Sequence, residues 1–218
     1  MKRSLFTMTT IFVIYGFTTS TTSATAREQR LILDLKTKIL ASDTTPIWVP
    51  RILLRLENRS HSEEITYEQL TFGLTHIWKP WLVTALYTTP REVFSSDKPN
   101  QWKNVHGADV IGIWSFKNWS FLDRETLEWH VSDDFLRNRN QIEVRFRVYP
   151  QVQLFGLYEW RWDFDVERLN MQTAAGGVFW QIRSNFAVRL MFAEEWNRRN
   201  LPQWDAVWFT SFILSMLM

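Results

Sequence analysis

The sequence contains no cysteine. That excludes thiol nucleophiles, disulfide staples and cysteine-ligated metal sites. Glycine and proline are sparse, seven of each in 218 residues, and no linker rich in either divides the chain. A single unit is therefore expected. No stretch beyond the first 26 residues approaches the roughly 18 consecutive apolar residues that a membrane-spanning helix needs. Glycine-rich phosphate loops and G-x-S-x-G nucleophile elbows are also missing.

The first 26 residues have the layout of a secretory leader. Lys2 and Arg3 supply the positive start, Phe6 to Phe17 the apolar stretch, and Ala24-Thr25-Ala26 an A-x-A cleavage site. The full chain has 25 basic and 23 acidic residues, and the leader accounts for two of the basic ones. The mature chain, at 23 against 23, is formally neutral. The sequence pI near 9.0 is then no reason to expect nucleic acid as a partner.

Aromatic residues are abundant, with thirteen Trp and sixteen Phe. Amphipathic rings collect where a protein meets a membrane–water interface. The dominant pattern is alternation with period two. In Gln141–Tyr149, Ile142, Val144, Phe146 and Val148 fall on one face, and Glu143, Arg145, Arg147 and Tyr149 on the other. A helix would scatter these charges around its surface, whereas a strand separates them. Similar runs are Trp48–Arg59, Tyr67–Trp78, Trp81–Thr89, Val105–Phe116, Ser120–Ser132, Val152–Phe164, Gln172–Ile182, Phe186–Phe192 and Trp204–Met218.

The connections alternate in length. Lys79-Pro80, Lys117-Asn118, Pro150-Gln151 and Ser184-Asn185 are short. Arg59–Glu64, Pro90–Asn104, Asp133–Asn140, Asp165–Met171 and Asn197–Gln203 are longer and polar. Short turns at one end and long loops at the other characterise outer-membrane barrels. The expected fold is an all-β, antiparallel up-and-down transmembrane barrel over residues 47–218, preceded by the leader 1–26. It would have about ten strands, with twelve as the alternative even number. Residues 27–46 are expected to be a periplasmic segment or an extra strand. Leu31, Leu35 and Ile39 have helical spacing, while Leu31, Leu33 and Leu35 have strand spacing.

In a barrel the charged face must point inward, because Arg or Lys facing lipid at the midplane costs about 2–4 kcal/mol. The expected lumen network is Arg51, Arg55, Glu57, Arg124, Glu128, Glu143, Arg145, Arg147, Glu159 and Arg161, filling the interior with ion pairs.

These strands resemble a bacterial outer-membrane barrel family known as domain of unknown function 2490. The resemblance lies in Arg124–Glu128–Trp129, Arg145 and Arg147, Glu159, and Gly177-Val178-Phe179-Trp180, with Arg51, Arg55 and Glu57 similar to the family's early strand. It covers nearly all of the mature chain. It implies a barrel in the cell outer membrane and no assigned chemistry. Implied partners are outer-membrane lipid, lipopolysaccharide and the barrel-assembly machinery, and a monomer is expected.

Candidate chemistry is thin. His61, His76, His106 and His130 are scattered, and no pair has zinc-site spacing, so no metal or cofactor is expected. The one suggestive constellation is His130-Val131-Ser132. Outer-membrane lipid A deacylases carry a His-x-Ser pair on one strand, and Glu128 could orient the histidine. Three readings follow: a non-enzymatic barrel, structural or for small-molecule passage or binding; a deacylase-like membrane enzyme using His130 and Ser132; and a soluble periplasmic lipocalin-like carrier. The non-enzymatic barrel is preferred, since a carrier of that kind needs eight strands and about ten are legible.

Overall fold

The computed structural model describes residues 27–36, 47–59, 65–93, 101–198 and 205–217. The expected leader, with Lys2, Arg3 and its A-x-A site, lies outside the described residues, as do 37–46, His61 and the loop segments 60–64, 94–100 and 199–204.

Every described element is a strand. They are β1 (Arg27–Lys36), β2 (Ile47–Arg59), β3 (Ile65–Lys79), β4 (Leu82–Val93), β5 (Gln101–Phe116), β6 (Trp119–His130), β7 (Phe135–Tyr149), β8 (Val152–Asp163), β9 (Arg168–Arg183), β10 (Phe186–Asn197) and β11 (Asp205–Leu217). Each pairs with its sequence neighbours, and β1 pairs with β11 to close the barrel. The all-β barrel matches the expectation, but two details differ. The described residues form eleven strands, neither ten nor twelve, and the closing pair β1·β11 is parallel. The two differences share one cause. An odd number of up-and-down strands leaves the first and last running the same way. Closure removes the unpaired edges that strands cannot leave open in hydrocarbon.

Two expected long loops are four-residue turns, 131–134 and 164–167, because β7 and β9 begin earlier than their composition suggests. Arg137 lies in that extended part of β7, and Asn170 in that of β9. Both hydrogen-bond Asp163 at the end of β8, which draws polar residues into the ladder. Prolines sit where they cost little. Pro50 lies one residue past the last β1·β2 pair, so its missing N–H removes no bond on that side. At Pro90 the β3·β4 pairing is interrupted, and the hydroxyls of Thr71 and Thr89 meet at 2.9 Å across the gap.

The wall is polar inside and apolar outside. Among the described residues, fifteen polar or charged side chains are buried against seven apolar ones. The exposed side chains form bands. Trp48, Trp78, Trp81, Trp114, Trp119 and Trp180 ring the end bearing the two-residue turns. Trp102, Trp129, Trp162, Phe164 and Trp208 ring the opposite, loop end. Ile52, Phe72, Leu86, Val110, Ile142, Leu154 and Leu190 lie between them. Soluble monomers rarely expose contiguous apolar patches larger than a few hundred Å².

Candidate functional site in the barrel lumen

Strand parity decides what faces inward. Even positions of β1 and β6 do so, and odd positions of most other strands, so side chains from every strand line one central cavity of about 590 Å³. It extends from the level of Arg91 and His130 to that of Arg145 and Ser215. At about 30 Å³ per water, the space holds roughly twenty waters. The lumen is narrow and polar but not filled, contrary to the expected crowding.

Of the residues expected inside, Arg51, Arg55, Arg124, Glu128, Glu143, Arg145, Glu159 and Arg161 line the cavity. Glu57 is buried behind it, paired with Arg30 at 3.2 Å and with Arg55. Arg147 does not belong to the network. It is exposed at the turn end of β7, where the alternation outlasts the lumen.

The ion pairs knit neighbouring strands. Arg51 on β2 grips Asp34 on β1 with two bonds, of 2.7 and 3.1 Å. Arg30 on β1 reaches Glu57 on β2 and Glu195 on β10, and its guanidinium stacks 3.5 Å over the Phe209 ring on β11. One side chain thus bridges both sides of the parallel seam. Arg124 and Thr126 both donate to Asp109, at 2.5 and 2.7 Å. Glu143, 1 % exposed, accepts from Arg145 at 2.5 Å and from Arg189 at 3.0 Å. Arg137 and Asp163 form a bidentate pair, the geometry that makes guanidinium–carboxylate contacts strong.

Sequence reasoning missed Arg30, Asp34, Arg91, Asp109, Arg137, Arg139, Asp163 and Glu195. Most stand in phase with recognised inward residues, and carrying the parity to each strand's end would have found them. Asp34 and Arg30 were hidden by the ambiguity of residues 27–46.

The His130–Ser132 pair is not assembled. His130 is buried, stacked 4.2 Å from Phe135. Arg91 Nη2 lies 3.3 Å from its Nδ1, and Glu128 Oε2 lies 3.4 Å from its Nε2. Arginine can only donate, so Nδ1 is the acceptor and Nε2 carries the proton toward Glu128. Neither nitrogen is left to take a proton from a serine. Ser132 is exposed in the turn, and its Oγ accepts the backbone N–H of Asn104 at 3.1 Å. Beside it, burial works against ionisation of Asp133. The hydrogen-bonded Lys103 ammonium outweighs that and holds its carboxyl below the usual aspartate range.

Among the described residues no group of three or more His, Asp or Glu side chains could hold a metal ion. No protein-family model matches the chain. No curated protein matches it either.

Proposed function

We propose that this chain is a non-enzymatic outer-membrane β-barrel, serving a structural role or the passage or binding of a small solute. One observation carries the reading, the inversion of an ordinary core: charges are buried inside a closed ladder, and an apolar wall between two tryptophan bands faces out. In hydrocarbon every backbone N–H and C=O must be paired within the protein, and a closed barrel achieves this. A lipocalin-like carrier would instead keep its apolar side chains inside, around a greasy ligand. The deacylase alternative gains nothing from His130, whose ring is committed to Arg91 and Glu128.

With the short turns assigned to the periplasm, as the membership suggested by the family resemblance implies, β11 ends on the periplasmic side and β1 begins at the outer rim. The test is tryptophan fluorescence in vesicles of brominated phospholipid. Strong quenching relative to unbrominated vesicles supports a lipid-facing wall. Emission untouched by bromine would refute it.

A further inference from the structure

The lumen holds more cation than anion. Ten arginines line the cavity against six carboxylates, and Glu57 and Asp163 are buried just behind its surface. Counted over the described residues, the guanidiniums outnumber these carboxylates by two. Burying a charge without a partner is costly, so the excess must be met by water or by an anionic ligand.

Among the described lining arginines, Arg91 stands out. Arg91 on β4 has no carboxylate within ion-pairing distance among the described residues, and its Nη2 meets the neutral His130 ring. Arg124 on β6 and Arg139 on β7 are each paired, to Asp109 and Glu128. The Nε of all three arginines is buried without a hydrogen-bond partner, as is that of Arg189 on β10, so what sets this trio apart is the unpaired charge of Arg91 within it. The register stacks them. Arg139 stands opposite Thr126, one inward position above Arg124, and Arg91 reaches His130, two positions above Thr126. The result is a ladder of guanidiniums with spare donors along a cavity wide enough for a small hydrated ion. Arginine forks match oxyanions with two parallel N–H bonds, and arginine-lined pores favour anions.

We propose that the lumen binds a small, freely dissolved oxyanion of the phosphate class on Arg91, Arg124 and Arg139. This deepens the solute-binding role proposed above, but the binding itself does not depend on the membrane location.

The test is titration calorimetry of the folded full-length barrel in detergent, free of phospholipid, with inorganic phosphate as the ligand. Saturable binding is expected. Arg91→Gln, which orphans no carboxylate, should weaken it about tenfold or more, as loss of a charge-assisted contact does. Arg91→Lys, which keeps the charge, should fall between the two and serves if the glutamine variant fails to fold. Trp114→Phe on the outer wall should bind as the parent does. No saturable binding by the folded barrel, or unchanged binding by both Arg91 variants, would overturn the site. Phosphate binding by a protein recovered only from the soluble periplasm would leave the site standing and remove the membrane reading instead.

Discussion

The ring of Tyr87 on β4 lies across Gly107 on β5, so closely that a Cβ on that glycine would stand 2.1 Å from the tyrosine Cζ. The two are cross-strand partners, and the hydroxyl of Tyr87 donates to Glu128 Oε1 at 3.0 Å. Gly107 thereby sets the reach of the tyrosine into the lumen network. Gly107→Ala should push the ring off and break that bond, at a cost of about 1–3 kcal/mol. In a Tyr87→Ala background the same alanine should cost little. Urea unfolding in lipid vesicles measures both, and additive costs would show that the two residues are not coupled.

Glu143 is shared by Arg145 and Arg189, and Arg147, two turns of the alternation further on, is its natural control. Glu143→Ala leaves Arg145 and Arg189 without their common acceptor inside the barrel. A loss of about 3–5 kcal/mol is expected, as for other broken buried pairs. Arg147→Ala should stay within about 0.5 kcal/mol, because that side chain is exposed. Equal effects in the same unfolding assay would mean that the lumen ends elsewhere.

Two carboxylates break the outer wall. Asp123 and Glu125 on β6 point outward between the bands marked by Phe121 and Trp129, and both are exposed. A carboxylate facing lipid is destabilising, though by less than the about 2–4 kcal/mol of a midplane Arg or Lys. The double variant Asp123→Leu, Glu125→Leu should therefore unfold at higher urea in vesicles. Lower stability there would reveal that the two acids have a partner.

Ten strands, β2 to β11, were legible because one face meets charge and the other does not, which writes period two into the chain. β1 was not, since Leu31, Leu33, Leu35 and Ile39 satisfy helical and strand spacing together. Its parallel pairing with β11 is a tertiary choice that local pattern does not encode. Alternation also cannot mark where a lumen stops, so it places Arg147 on the same face as Arg145. Arg137 and Asn170 escape the pattern because polar residues at a strand end have loop-like composition. The unassembled His130–Ser132 pair shows the same limit, for the spacing placed the residues near each other but said nothing of Arg91 arriving from β4.

That geometry has a consequence for lipid chemistry. Ser132→Ala should leave the acylation pattern of lipid A unchanged when the protein is expressed in a Gram-negative host, as read by mass spectrometry. A change that depends on Ser132 would restore the enzyme reading and require His130 to leave Arg91.

The most direct test of the membrane-barrel reading is separation of the host's outer membrane from its soluble periplasm, followed by electrophoresis of boiled and unboiled samples. The expected result is recovery in the outer-membrane fraction, with the unboiled protein migrating faster as a compact barrel. Recovery only from the soluble periplasm would contradict it.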